Sequence, residues 1–211
     1  MSRTSSVNIA SVEWPGRDGL SIGPIIGYVQ FKNIPTRKTV EVDINLAGLK
    51  PNSPHAIHIH EGCFKDEDDL QKGCMGLGPH FNPYNRMHGS IYNKNPDLRH
   101  AGDLCNNILA DENGTVRVVY EDDLISLNPN SPAYIVGRSV VIHEEVDDLG
   151  RGGRWLYQRG FVTYGDMTPK EIEMISGKKY SKKVVGDLII NTVTTGNAGG
   201  RMACGNIIVN N

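Results

Sequence analysis

Apolar and polar residues alternate with a period of two along several short stretches of the chain. The clearest case is Val40, Val42, Ile44 and Leu46, with Glu41, Asp43 and Asn45 between them. A period of two sends successive side chains to opposite faces, so this stretch predicts a strand with one buried and one solvated face. Residues 7–12 alternate in the same way until Pro15-Gly16-Arg17-Asp18-Gly19 breaks the pattern. Further strands are predicted over residues 25–31, 56–61, 108–110, 116–120, 135–143 and 207–209. Asn113-Gly114, just ahead of Val116, is a hairpin-turn signal. Roughly eight short strands with Gly- and Pro-rich connections, and no long helical periodicity, predict an antiparallel sandwich or barrel.

Two stretches break the pattern. Residues 62–103 form a long Gly-, Asn- and Pro-rich connection, of a length that in a compact domain is usually functional or externally tied. Residues 154–194 are of mixed character. Within them Thr168-Pro169-Lys170-Glu171 reads as a capping box, with Pro at the first helical position, and Gly177 as the stop of a helix of about two turns. The 211 residues fit one domain, 1–211, with the second stretch as an insertion.

Composition changes this picture little. Apolar residues make up 38% and charged residues 22%, as in a soluble globular protein. The formal charge of −2 gives no overall bias toward nucleic acid or an anionic membrane. No apolar run is long enough to cross a bilayer. Met1 to Ser6 contain no apolar leader core, so a cytoplasmic protein is expected. Cys63, Cys74, Cys105 and Cys204 form no CxxC pair, and in a reducing compartment they read as thiols.

The histidines carry the chemistry. His58 and His60 lie two apart in a predicted strand, so both rings leave one face and can share a metal. His55 has the opposite parity, follows Pro54, and is expected at the surface. His143 ends a strong apolar run, where it is either a core residue or a third ligand from a neighbouring strand. His80, His88, His100 and Asp103 all fall in the long loop and make a plausible tetrahedral zinc set, which would also tie that loop down. Zinc has no redox activity, whereas a histidine-rich site with an open position suits copper. These residues read as a zinc-held loop attached to a copper centre.

Several ordered segments then resemble the Cu/Zn superoxide dismutase family. They are His58-Ile59-His60-Glu61, Gly78-Pro79-His80-Phe81-Asn82-Pro83, Arg99-His100-Ala101-Gly102-Asp103-Leu104, Val141-Ile142-His143-Glu144, Asp147 to Gly153, and Thr195-Gly196-Asn197-Ala198-Gly199-Gly200-Arg201-Met202-Ala203-Cys204-Gly205. The resemblance implies an all-β, eight-stranded Greek-key sandwich that disproportionates superoxide to oxygen and hydrogen peroxide. It implies copper on His58, His60, His80 and His143, and zinc on His80, His88, His100 and Asp103, with His80 bridging. It implies that Asp147 links His58 to His88, that Arg201 attracts and orients the anion, and that Thr195 lies across the channel. It also implies a Cys74–Cys204 disulfide, a homodimer and a copper-loading partner, with Cys63 and Cys105 free.

Three segments depart from the family pattern. The loop between His60 and Cys74 is longer and carries Lys65-Asp66-Glu67-Asp68-Asp69, the zinc loop is longer between His88 and His100, and residues 154–194 replace a short charged stretch. A copper chaperone of the same fold would need a metal-delivery module, commonly with a CxxC motif, which the sequence lacks. A silent metal-binding relative would be favoured by loss of His143 or Arg201, and both are present.

Overall fold

The structure is a computed structural model, and it describes residues 7–15, 19–21, 24–65, 73–92, 99–150, 191 and 194–210. The strands, in chain order, are β1 (Ile9–Trp14), β2 (Gly19–Ser21), β3 (Ile26–Ile34), β4 (Thr39–Ala47), β5 (Pro54–His60), β6 (Asn106–Leu109), β7 (Val116–Asp122), β8 (Ser139–His143), β9 (Arg201–Asn206) and β10 (Ile208–Val209). They form two five-stranded antiparallel sheets, ordered β10-β1-β3-β4-β7 and β2-β9-β8-β5-β6.

The alternation in β4 is realised as read: Val40, Val42, Ile44 and Leu46 are buried, and the polar residues between them are half-buried. Val42 pairs with Phe31 and Ile44 with Val29 across β3. These side chains share one hydrophobic cluster with Ile57 and Ile59 of β5, Val140 and Ile142 of β8, and Ala203 of β9. Apart from Ala203, each such fully buried side chain contributes roughly 1.5–3 kcal/mol.

The second sheet is covered on both faces. β8 is buried at every position, and β5 at every position after Pro54. One face presents Ile57, Ile59, Val140 and Ile142 to the core; by parity, the other presents His58, His60, Val141 and His143 beneath the long loops. Val141 there packs with Phe64, Leu77 and the disulfide-bonded Cys74 and Cys204. That outer face is where the chemistry is assembled.

Two expectations change. Asn113-Gly114 does not close a hairpin, because β6 and β7 lie in different sheets. The turn instead crosses the end of the sandwich. Gly114 has φ 74°, its carbonyl accepts from Leu49 N at 3.1 Å, and a Cβ there would lie 2.2 Å from the Leu49 carbonyl oxygen. Asp111 Oδ1 accepts from Asn113 N and Thr115 N and supplies the turn. The second change is β9, which the sequence pattern missed because Arg-Met-Ala-Cys-Gly-Asn has no alternation; pairing with β8 makes it a strand. The helix predicted from Thr168 lies outside the described residues.

The long loop is anchored to the first sheet by a buried fork. Arg99 donates from Nη1 and Nη2 to the two Asp122 carboxylate oxygens, each at 2.9 Å, and from Nη1 to the Leu104 carbonyl at 3.2 Å. A short 3-10 turn, Ala101–Asp103, follows directly and sets His100 and Asp103 facing inward.

Candidate metal centre

Seven of the sequence-predicted residues converge on the outer face of β5 and β8. One donor atom each from His58, His60, His80 and His143 lies within 4.8 Å of the others, and the same holds for His80, His88, His100 and Asp103. All seven are buried, and His80 belongs to both sets.

Asp103 Oδ1 stands 3.1, 2.9 and 3.2 Å from the Nδ1 atoms of His80, His88 and His100. The His80 and His88 contacts satisfy hydrogen-bond geometry, and all three distances gather ring nitrogens around one oxygen. They are close to the edge lengths of a tetrahedron whose ligands sit about 2.0–2.1 Å from a central zinc. In the other set, His60 Nε2 faces His143 Nε2 at 3.3 Å. His58 Nδ1, His80 Nε2 and His100 Nδ1 are buried without hydrogen-bond partners. Buried nitrogens without partners are costly unless something binds them, so the donor sets fit metal ions.

Three of the ligand rings are oriented from behind. Asp147 Oδ2 meets His58 Nε2 at 2.6 Å and Oδ1 meets His88 Nε2 at 2.8 Å, so one carboxylate spans the two sets. His60 Nδ1 donates to the Gly78 carbonyl at 2.8 Å. Gly196 makes room for the carboxylate: at φ 68°, a Cβ would lie 2.3 Å from Asp147 Oδ1 and 2.6 Å from His88 Nε2.

The protonation states suit metal binding, which needs neutral imidazole and ionised carboxylate. Burial drives His58 down to about 4 and His80 and His143 down to about 3. Burial also lowers His60, helped by the His80 ring and the Arg201 charge. Burial alone would raise Asp103 and Asp147, but His88 and the other histidine contacts hold both well below the carboxylate range. His88 goes the other way: burial opposes its charge, and Asp103 and Asp147 overcome that.

Arg201, at the bulged end of β9, donates from Nη1 to the Cys74 carbonyl and from Nη2 to the Gly78 carbonyl, both at 2.7 Å. Thr195 turns its hydroxyl onto the Asn191 carbonyl at 3.2 Å. Cys74 and Cys204 are disulfide-bonded, and Cys63 and Cys105 are free.

Sequence reasoning missed three participants. His55, expected at the surface, is buried, with Nδ1 3.1 Å from the His143 carbonyl and Nε2 2.8 Å from Ser53 Oγ. Opposite parity in a strand covered on both faces leads into the core, not to solvent. Asn106 and Asn107, which open β6, both bond Asp147, and no sequence pattern marked them.

Comparison with known proteins agrees with this geometry. Residues 25–168 match the family model described as copper/zinc superoxide dismutase. The superoxide dismutase [Cu-Zn] of Paramecium bursaria Chlorella virus 1 is 40% identical over 62% of this chain, which spans 63% of that protein. The extracellular superoxide dismutase [Cu-Zn] of Brugia pahangi is 34% identical over 89% of this chain and 71% of its own. A crystal structure described as that of the clock protein EA4 superposes with a TM-score of 0.67 at 30% identity, covering 100% of this chain and 99% of that one.

The Brugia pahangi relative overturns the expectation of a cytoplasmic protein. That expectation rested only on the missing apolar core in residues 1–6, whereas a relative matching most of this chain is named extracellular. Compartment is not written in the sandwich, and a disulfide such as Cys74–Cys204 is at home in an oxidising one. The chain belongs to the copper/zinc superoxide dismutase family, oxidoreductases that act on superoxide.

Proposed function

We propose that this chain dismutes superoxide at a copper held by His58, His60, His80 and His143, beside a zinc held by His80, His88, His100 and Asp103. The observation that carries the reading is the pair of buried donor sets sharing one imidazole, with partnerless nitrogens. Copper supplies the one-electron exchange, so that two superoxide anions and two protons leave as dioxygen and hydrogen peroxide.

The chain's own residues do the rest. Arg201 carries a permanent charge, fixed by two carbonyls, that attracts and orients the small anion, with Thr195 across the channel. His80 is held through Nδ1 beside Asp103, and its Nε2, turned away from that carboxylate, can hold or release a proton. Asp147 fixes the rings of His58 and His88 and raises their basicity as ligands.

In the same reading the chain is one domain, 1–211, with an insertion at 154–194. It pairs as a homodimer and receives copper from a loading partner. The exposed Ile208 and Val209 on edge strand β10 support pairing, because a second copy can cover them. The burial of all four copper-set histidines supports assisted loading.

The test is superoxide dismutation by the purified protein before and after copper loading, with metal content measured on the same samples. Activity that tracks copper, at about one copper and one zinc per chain, is the expected result. Full loading without dismutation would sink the reading.

A further inference from the structure

Asn106 belongs to neither donor set, yet it is fully buried and sits at φ 61°. A left-handed φ disfavours most L residues, and Asn tolerates it well through local hydrogen bonding. Its side chain has a specific task. Nδ2 donates to Asp147 Oδ2 at 3.0 Å and to the Gly89 carbonyl at 2.6 Å, and Oδ1 accepts from Ile91 N at 3.3 Å. Gly89 directly follows His88, so one amide joins the loop that carries His88 to the carboxylate that orients it.

The Asp147 carboxylate is thereby filled. Its Oδ1 meets His88 Nε2 and accepts from Leu149 N at 2.6 Å, and its Oδ2 meets His58 Nε2 and Asn106 Nδ2. An ionised carboxylate has about four acceptor sites, and all four are used. Asn107 holds the backbone of the same residue, accepting from Asp147 N at 2.8 Å and donating to its carbonyl at 3.0 Å. Leu149 N and Asn107 fix where Asp147 sits, and Asn106 ties the carboxylate to the backbone beside His88, in addition to the contact of the His88 ring itself.

We propose that Asn106 is a positioning residue for the metal pair: it fixes the Asp147 carboxylate between His58 and His88, and so sets how tightly the His80–His88–His100–Asp103 set holds zinc. This rests on reading that set as the zinc site.

The test uses the full, disulfide-bonded, metal-free chain, with zinc affinity measured by chelator competition and the site read spectroscopically by Co2+ absorption. Asn106→Gly keeps the left-handed backbone accessible and removes the amide. Asn106→Asp keeps the shape but turns an acceptor toward Asp147 and Gly89. Both variants are expected to bind zinc about 10–100-fold more weakly and to shift the Co2+ ligand-field bands, Asp more than Gly. Unchanged affinity and bands overturn the role of Asn106, even if the metal-free variants unfold more easily, because that loss alone is structural. A wild-type chain that gives no tetrahedral Co2+ spectrum overturns the zinc assignment, and the proposal with it.

Discussion

His60 and Arg201 share an acceptor: the Gly78 carbonyl takes His60 Nδ1 at 2.8 Å and Arg201 Nη2 at 2.7 Å. One carbonyl therefore fixes both a copper-set ring and the charge that would greet the substrate. The second Arg201 bond reaches the Cys74 carbonyl, so the disulfide holds the other prong of the fork. Lysine carries the same charge but cannot reproduce the fork. Arg201→Ala is expected to slow dismutation roughly tenfold or more and to flatten its dependence on ionic strength. Arg201→Lys is expected to fall between Ala and the wild type, with metal content unchanged in both. Steady-state rates across a salt series check this, and a wild-type salt response in Arg201→Ala would remove the steering role.

His143→Ala tests the division of the site. It removes one donor from the copper set and none from the other. The expected product is a folded chain that retains about one zinc and takes up little copper. Metal analysis after dialysis against both ions reads the outcome, and equal loss of both metals would contradict the assignment.

Acid sensitivity follows from the buried rings. In the metal-free chain His58 stands at about 4 and His80 and His143 at about 3, against 6.5 when unfolded. Below pH 6.5 the unfolded chain takes up protons that these rings refuse. Their contribution is thus complete above pH 6.5 and is lost as pH falls from there toward 3. His88, raised by Asp103 and Asp147, has the opposite sign: its contribution is present below 6.5 and lost as pH rises through its folded value. Asp103 and Asp147 lose theirs only below about pH 4. His88 holds its proton in both states across this window, so the lowered rings alone set the slope, and the urea midpoint should fall steadily between pH 6.5 and 4. His143→Gln should flatten that slope, and a midpoint independent of pH would refute the buried-neutral account.

The cysteines divide sharply. Cys74–Cys204 spans a sequence separation of 130. The chain-entropy model gives roughly 4–5 kcal/mol for such a closure, so Cys204→Ser should lower the denaturant midpoint accordingly. Burial pushes the Cys105 thiol up to about 12. At pH 8 an alkylating reagent should therefore modify Cys63 well before Cys105, as mass mapping under non-reducing conditions would read.

The parts of this molecule written in local pattern were legible, and the parts made by tertiary pairing were not. Period two in β4 and the His58–His60 spacing are properties of a few neighbouring residues, and they led directly to a half-buried strand and a shared face. β9 shows no such period; it becomes a strand because β8 is beside it. His55 was misplaced for a related reason, since parity tells which face a side chain takes but not what covers that face. Asn113-Gly114 supplied the turn it promised, but whether a turn joins neighbours or crosses between sheets depends on partners far away in sequence. Asn106 was invisible because a buried amide has meaning only once Asp147 and Gly89 are placed around it.

β5 and β8 turn Ile57, Ile59, Val140 and Ile142 to one face, and His58, His60 and His143 to the other beside Val141. Folding and chemistry are thus separately mutable: substitutions among His58, His60 and His143 leave the inter-sheet packing untouched, and substitutions at Ile57, Ile59 or Ile142 strike the scaffold first. A lineage could silence the reaction while keeping the architecture, or rebuild the outer loops around an unchanged interior. Resemblance of scaffold alone is therefore a weak witness to activity in such a molecule, and the outward face of two strands is the place to read whether the reaction survives.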